Sequence, residues 1–367
     1  MTFLIDDVEL SVEKKKSLAV ITLKRPDALN ALSLEMIRLM SAGLKKIRKD
    51  DDIKAVILQG ADSKAFCSGG DLKLASKLGM AYRRGEIKND IVDMYFKEEY
   101  RLDLLFYDYE KPVVALMDGV TMGGGVGIAY PSVFRVATEK TRFAMPEVRI
   151  GFFPDVGGTY HLRKWPGHTG LFAITSGYHF KNPSDLLFLG ACTHTIPSSR
   201  LKDLIPEFDK VLDGARQSDA QDALEKVLNE YHERIGDKGE VEINKDLIDE
   251  LYSKDSFEET YDAFHEQSND FMRDVAHLFH LSSPTSIKVA YAYYNMNKGD
   301  DFETVINKDA LMVRKFVDGH DFYEGVRAIL VDKREPSWEP SKLDEVTDDI
   351  VESYLGNLEM DPEDRVL

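Results

Sequence analysis

Short runs of aliphatic and β-branched residues alternate with stretches of helical periodicity in the first third of the chain. Between the first two such runs, apolar positions recur at helical spacing from Leu34 to Ile47, and Ser33 precedes them as the expected N-cap. Strands that alternate with helices predict an α/β fold with parallel strands. The predicted buried strands are Leu18 to Leu23, Ala55 to Leu58, Val113 to Met117 and Val133 to Ala137.

Composition divides the chain into three predicted regions. Residues 1–197 carry the alternation of strands and helices and form the predicted core. Residues 198–260 are rich in Asp, Glu and Lys and have few strand-like runs, which indicates a charged helical insertion or linker. Residues 261–367 return to apolar positions at helical spacing, and Pro284 fits the first turn of a helix there. The last region is therefore expected to be helical.

The charge balance limits the classes of partner. The 367 residues include 47 Lys and Arg against 65 Asp and Glu, a formal net charge of -18 at pH 7. A surface this acidic disfavours binding that is driven by nucleic-acid phosphates or by an anionic membrane. No stretch reaches the roughly 18 apolar residues that a membrane span needs. We therefore expect neither nucleic acid nor a membrane as a partner.

The cysteines and the N-terminal stretch bear on the compartment. Cys67 and Cys192 are far apart in sequence and fit neither a CxxC motif nor a zinc-binding spacing. The N-terminal stretch lacks the composition of a transit peptide and has no long apolar run. Both observations indicate a reducing compartment: the cytoplasm, or the mitochondrial matrix for a chain whose transit peptide has been removed.

Two glycine-rich corners follow predicted strands. FCSGGDLK contains Gly70, and MGGGVGIAY contains Gly124. Each leads into a helical pattern, so each would present free backbone N–H groups at the positive end of a helix. Neither completes a nucleotide-binding loop. Taken singly the corners read as ordinary turns, but as a pair they can direct two amides at one carbonyl oxygen, as an oxyanion hole does.

The segment MPEVRIGFFPDVGG places two carboxylates, Glu147 and Asp155, among apolar residues. An apolar setting raises the pKa of a carboxyl group and suits it to acid, base or nucleophilic chemistry. The structural alternative is that Glu147 caps a turn and Asp155 starts a helix. The sequence contains neither a GxSxG nucleophile elbow nor an HExxH motif, and no metal site is expected.

Taken together, these segments resemble the crotonase superfamily, whose members act on acyl-CoA thioesters. The resemblance implies a spiral of ββα turns as the catalytic core, with a helical C-terminal region that closes the substrate tunnel. The residues that carry it are KRPDALNALS, FCSGGDLK, GVTMGGGVGI, FAMPEVRIGFFPDVGGTYHL and, near the C-terminus, HDFYEGVRAILVDKREPSWEP.

Three details resemble the 3-hydroxyisobutyryl-CoA hydrolase group of that superfamily. Gly127 stands where the hydratases carry a glutamate, and Asp155 stands where they usually carry a glycine. The stretch KEEYRLD is similar to a segment of the hydrolase group, which implies that Glu99 approaches the substrate. The resemblance therefore implies hydrolysis of a 3-hydroxyacyl-CoA thioester.

The resemblance also implies roles for the candidate residues. The amides of Gly70 and Gly124 would receive the thioester oxygen. Glu147 would attack the carbonyl carbon or act as the base for an attacking water, and the sequence leaves both mechanisms open. Asp155 would bind the 3-hydroxyl group of the substrate and orient water, with Glu99 assisting in polar recognition.

Coenzyme A is implied near the loop that contains Lys24, Arg25 and Ala28. The two basic side chains would contact its phosphates, because an acidic protein must supply positive charge locally. A simple exposed basic pair is the alternative. Since coenzyme A is part of the substrate, no separate cofactor is expected. Trimers are common in the superfamily, so a homo-oligomer is one possibility and a monomer is the other.

Two other functions stay open at this point. The first is an enoyl-CoA hydratase or isomerase that works with one principal carboxylate. The second is a non-catalytic relative that binds acyl-CoA, although such a protein has no need of both carboxylates and both glycine corners.

Overall fold

The computed structural model describes residues 2–62, 64–88, 91–358 and 365–366. Their contacts define two compact units that interleave along the chain. The three regions predicted from composition follow the order of the chain, whereas the units do not, and that division stays a prediction. The first unit comprises Met1–Gly70, Leu102–Phe143 and Phe180–Glu242, and the second comprises Asp71–Arg101, Ala144–His179 and Ile243–Leu367.

In the described part of the chain, all strand residues except Ala144 belong to the first unit. The strands are β1 Thr2–Asp6, β2 Leu10–Lys14, β3 Leu18–Leu23, β4 Ala55–Gly60, β5 Ala65–Cys67, β6 Val113–Met117, β7 Val120–Met122, β8 Phe134–Ala137, β9 Arg142–Ala144 and β10 His194–Thr195. One sheet has the order β1-β2-β3-β4-β6-β8-β10, and a smaller sheet contains β5, β7 and β9. From β3 to β10 the large sheet is parallel, so the predicted α/β class and its four predicted strands are confirmed.

Helices make up most of the second unit and also occur in the first. The α-helices in the described part of the chain are α1 Leu34–Arg48, α2 Leu72–Arg83, α3 Ile91–Tyr107, α4 Gly124–Ala129, α5 Gly158–Leu162, α6 Thr169–Ser176, α7 Pro183–Phe188, α8 Leu201–Leu212, α9 Ala220–Tyr231, α10 Glu240–Ile243, α11 Lys245–Leu251, α12 Phe257–His265, α13 Asp270–Leu281, α14 Pro284–Met296, α15 Phe302–Asp318, α16 Asp321–Gly325 and α17 Asp348–Leu355. A π-helical stretch follows at Val326–Asp332. Among the residues described, no helix is long and apolar enough to cross a membrane.

Helix α1 forms as its pattern predicts. The Ser33 side chain accepts a hydrogen bond from the Met36 amide at 3.0 Å, which satisfies one of the free donors at the helix start. The periodic apolar positions are buried, among them Ile37, Leu44 and Ile47. The predicted helix and its N-cap are therefore confirmed.

Two acidic helices of the first unit, α8 and α9, pack on its large sheet. Leu204, Phe208 and Leu228 are buried in one cluster with strand residues such as Val20 and Val114. The charged residues of this stretch occupy the outer faces of an amphipathic pair. The apolar stripe explains why these helices pack on the sheet, because burial of each aliphatic or aromatic side chain stabilises the fold by about 1.5–3 kcal/mol.

Candidate active site

The two glycine corners lie side by side in the first unit. β5 and β7, which precede them, pair in parallel, so their carboxyl ends reach the same edge of the small sheet. Gly69 has a φ of +105°, and a Cβ there would lie 3.1 Å from the Met122 carbonyl oxygen and 3.4 Å from the Gly124 nitrogen. Only glycine fits this close approach of two backbones.

The three consecutive glycines at the second corner have a steric reason. Gly123 has a φ of +50°, and a Cβ on Gly125 would lie 2.2 Å from the Cys67 carbonyl oxygen. Gly124 is the first residue of α4. Within the described residues, the amides of Gly70 and Gly124 donate no hydrogen bond to the protein. Both amides are therefore available to an acceptor from outside, although their assignment to an oxyanion hole stays a prediction.

The two basic side chains of the loop in the first unit donate hydrogen bonds to backbone carbonyl oxygens. The Lys24 ammonium donates to the Asp7 carbonyl oxygen at 2.6 Å, and the Arg25 guanidinium donates to the Ala31 carbonyl oxygen at 2.6 Å. Ala28 ends a 3-10 helix that begins at Pro26. The two basic side chains are 32% and 21% exposed, so both can reach solvent, and their role in coenzyme A binding stays a prediction.

Asn30 in the same loop is a residue that sequence reasoning missed. It is fully buried and adopts a φ of +55°. Its side chain accepts a hydrogen bond from the Arg25 amide at 2.9 Å and donates one to the Ala65 carbonyl oxygen at 2.8 Å. Asn30 therefore fixes the basic loop to the strand that leads into the first glycine corner. Asparagine tolerates the left-handed region, and this tolerance was the available signal.

The second unit holds the three predicted carboxyl groups. Glu99 lies on α3, Glu147 is the first residue of a 3-10 helix that ends at Ile150, and Asp155 lies in the loop before α5. Their exposed fractions are 2%, 4% and 5%. Gly157 is the N-cap of α5, and among the described residues the Asp155 carboxyl group accepts no hydrogen bond from the first turn of this helix, so Asp155 does not serve as the helix cap that the structural alternative required.

Burial dominates the electrostatics of this cluster. It raises the pKa of Glu99 and of Glu147 well above the ordinary value for glutamate, and the charge of Asp155 raises both further. Burial also raises the pKa of Asp155 to about 7, against the opposing effect of a hydrogen bond from Tyr100. The charge of Asp155 thus acts on both glutamates, so the three carboxyl groups form one electrostatic cluster. A proton retained in such a cluster can be given or taken near neutral pH.

The hydrogen bonds distinguish Asp155 from Glu147. The Tyr100 hydroxyl donates to Asp155 Oδ2 at 2.7 Å in a buried setting. In contrast, Glu147 Oε2 is buried and has no hydrogen-bond partner among the described residues. Because buried polar atoms are almost always paired, an unpaired carboxyl oxygen marks the atom that is free to meet a substrate or water.

Aromatic packing and a strained turn surround Asp155. Phe152 stacks on Phe96 at a ring distance of 5.6 Å, and Phe152 and Phe153 are buried. Directly after the carboxylate, Val156 has a φ of +50°, a conformation that costs a β-branched residue about 1–3 kcal/mol. Such a conformation persists only where the surrounding structure enforces it, and conformations of this kind cluster at functional sites.

A cavity of the second unit, lined by other residues, fits catalysis less well than the carboxyl cluster does. It has a volume of about 720 Å³, and its lining includes Lys164, Lys254 and Lys298 but no carboxylate. These lysines lie just after the ends of α5, α11 and α14, where positive charge offsets the negative ends of helix dipoles. The carboxyl cluster is therefore the candidate active site.

The comparisons with known proteins agree with the motifs. A family model described as enoyl-CoA hydratase/isomerase matches residues 18–355, so the chain belongs to this family, the crotonases. The mitochondrial 3-hydroxyisobutyryl-CoA hydrolase of Danio rerio is 38% identical, over 96% of this chain and 90% of the relative. The Homo sapiens protein of the same name is 37% identical, over 95% of this chain and 89% of the relative.

Solved structures share the whole fold. A carnitinyl-CoA dehydratase from Mycobacterium thermoresistibile superposes with a TM-score of 0.85 and 29% identity, covering 98% of this chain and 99% of its own. An enoyl-CoA hydratase from Rhodobacter sphaeroides gives a TM-score of 0.83 at 26% identity, with 95% and 97% covered. The predicted crotonase fold is thus confirmed.

Proposed function

We propose that this chain hydrolyses 3-hydroxyisobutyryl-CoA to 3-hydroxyisobutyrate and coenzyme A, a step of valine breakdown. The observation that carries the proposal is the buried pair of Glu147 and Asp155, with one carboxyl oxygen unpaired and the other group held by Tyr100. The names of the relatives from Danio rerio and Homo sapiens support the same reaction.

The proposed chemistry begins at the thioester carbonyl. The amides of Gly70 and Gly124 hold its oxygen as negative charge develops there, and loss of one such donor typically raises the barrier by about 2.7–4 kcal/mol. A Glu147 oxygen attacks the carbonyl carbon, the carbon–sulfur bond breaks, and the sulfur leaves as coenzyme A after taking a proton. Water then cleaves the mixed anhydride and restores the carboxylate.

A second route uses the same residues. Glu147 removes a proton from water, and the hydroxide attacks the carbonyl directly. In both routes Asp155 binds the 3-hydroxyl group of the acyl chain and orients water, and Glu99 contributes to polar recognition. A Glu147 oxygen in the product of a single turnover identifies the anhydride route, in which water attacks the Glu147 carboxyl carbon and leaves the bridging oxygen on the product.

The binding of coenzyme A is proposed at the basic loop. Lys24 and Arg25 would contact its phosphates, and Ala28 would lie beside it. No other cofactor enters this reaction. The relatives are mitochondrial by name, and we propose the mitochondrial matrix for this chain too, with the cytoplasm as the alternative.

The competing function is that of an enoyl-CoA hydratase or isomerase, and the Rhodobacter sphaeroides protein of the same fold is an enoyl-CoA hydratase by name. The test is release of free thiol from a panel of 3-hydroxyisobutyryl-CoA, 3-hydroxypropionyl-CoA and crotonyl-CoA. We expect thiol release from the hydroxyacyl esters. Loss of the enoyl group of crotonyl-CoA without thiol release would favour the competing function, and stoichiometric binding without turnover would indicate a non-catalytic relative.

A further inference from the structure

The loop that follows Asp155 needs support from outside itself. Val156 and Gly157 are consecutive residues in the left-handed region, with φ values of +50° and +72°. The loop's own backbone contributes one hydrogen bond, from the Gly158 amide to the Asp155 carbonyl oxygen at 2.8 Å. Glycine adopts this region readily, but Val156 does not, and one internal bond does not hold its unfavourable conformation, so other contacts must fix the turn.

The contacts come from two residues of α15, Asp309 and Phe302, and Tyr293 of α14 supports Asp309. The Gly157 amide donates to Asp309 Oδ2 at 2.9 Å. The Tyr293 hydroxyl donates to the other oxygen, Asp309 Oδ1, at 2.7 Å. The Phe302 ring lies against Gly157, where a Cβ would approach it to 2.3 Å. Asp309 and Tyr293 are both fully buried.

We propose that Asp309 is a positioning residue, oriented by Tyr293, that fixes the strained Val156–Gly157 turn and thereby aims the Asp155 carboxyl group. Each oxygen of Asp309 accepts one hydrogen bond, so the side chain is held from two sides. Tyr293 also packs edge-on against Phe153, at a ring distance of 5.8 Å. The network therefore holds the chain on both sides of Asp155, at Phe153 and at Gly157.

The inference rests on the proposed function, in which Asp155 binds the substrate hydroxyl. If Asp309 aims Asp155, its loss will weaken recognition of that hydroxyl more than recognition of coenzyme A. If Asp309 serves stability alone, its loss will lower the unfolding temperature and leave hydroxyl recognition unchanged.

The variant is Asp309→Asn, which keeps the side-chain shape but turns one of the two acceptors into a donor. Binding of 3-hydroxyisobutyryl-CoA and of isobutyryl-CoA is measured by calorimetry in a Glu147→Gln background, so that little ester is consumed during the measurement. We expect Asp309→Asn to reduce the preference for the hydroxylated ester about tenfold, a typical loss for a misplaced charged hydrogen bond. Tyr293→Phe should act in the same direction and more weakly.

Asp185 supplies the matched control. It is a buried aspartate of the first unit whose carboxyl group accepts hydrogen bonds from the amides of Val241 and Glu242. Asp185→Asn should lower stability and leave the preference for the hydroxylated ester intact. An equal loss of preference in Asp185→Asn and Asp309→Asn would overturn the inference.

Crystal structures of the parent and of the Asp309→Asn protein provide a readout that does not depend on the reaction. We expect Val156 to leave the left-handed region and the Tyr100–Asp155 hydrogen bond to lengthen or break. Retention of both features in the Asp309→Asn protein would overturn the inference, whatever activity the variant has. A parent protein that binds both esters equally would instead count against the proposed role of Asp155, and the structures would then decide the role of Asp309.

Discussion

The two units offer different kinds of chemistry. The first presents backbone: its two glycine corners expose amides, and its close contacts crowd an added Cβ at Gly69 and leave no room for one at Gly125. The second presents side chains: three buried carboxyl groups, of which Asp155 has a pKa raised to about 7. Backbone dipoles do not titrate, whereas buried carboxyl groups do. Substitutions that add volume should therefore impair the first unit. The second unit should respond to pH and to substitutions that replace a carboxyl group by an uncharged amide.

The sharpest test of the second unit is Glu147→Gln. The substitution keeps the side-chain size but removes the nucleophile or base, and we expect turnover to fall by about 10³-fold or more. Thiol release from 3-hydroxyisobutyryl-CoA measures it. Affinity for the ester, measured by calorimetry, should stay within a few-fold of the parent protein. A variant that turns over normally would remove Glu147 from the mechanism.

The corresponding test of the first unit adds a single methyl group. Gly69→Ala places a Cβ against Met122 and the Gly124 amide at a φ of +105°, so we expect the corner to shift and kcat to fall about 10²-fold. This loss should be the same at pH 6 and pH 8, because no titrating group is involved.

Gly190 offers the control in the same unit. It has a φ of +71° but nothing lies within 4 Å of an added Cβ. Gly190→Ala should destabilise the fold by about 1–2 kcal/mol through backbone strain and keep full activity. If both alanine variants lose activity equally, the glycine corner has no special part in catalysis.

The pH dependence of stability should be a property of the carboxyl cluster. Below about pH 4 Asp155 holds its proton in both states, and above about pH 7 it is ionised in both. Between these limits the folded state retains a proton that the unfolded chain has released, so stability falls as pH rises. From pH 5 to pH 7 we expect Asp155 to contribute a decrease on the order of 2 kcal/mol in the free energy of unfolding.

Asp155→Asn should remove that decrease, and chemical denaturation at several pH values measures it. The asparagine oxygen can still accept the Tyr100 hydrogen bond, so the variant should unfold less readily than the parent at pH 8. A parent and a variant with parallel stability curves would show that Asp155 keeps an ordinary pKa.

The sequence predicted the elements of the first unit well, for physical reasons. Buried parallel strands are continuous apolar runs, so β3 and β6 have the predicted bounds. The glycine corners were visible because closely packed backbones tolerate no side chain, and the carboxylates because charge among apolar residues is unusual.

Contacts between residues that are distant in sequence could not be predicted. Asp309 lies in an ordinary amphipathic helix pattern, and only the fold brings it to the Gly157 amide. The acidic composition of residues 198–260 concealed the apolar stripes of α8 and α9, because charge on an outer face dominates a local average. Tyr100 lies inside the stretch KEEYRLD, and its pairing with Asp155 also required the tertiary structure.

Tyr100→Phe should give the smallest effect, and it tests whether the titration of Asp155 is specific to the carboxyl groups of the second unit. The hydroxyl lowers the pKa of Asp155, so its removal should raise that pKa and move the pH at which activity rises to a higher value. We expect kcat/KM at pH 7 to fall about tenfold, as for loss of one hydrogen bond to a charged group. Tyr109→Phe is the control, since its hydroxyl donates to the Leu44 carbonyl oxygen in the first unit. It should leave the pH profile unchanged, and a profile that moves equally in both variants would mean that Tyr100 acts through stability and not through Asp155.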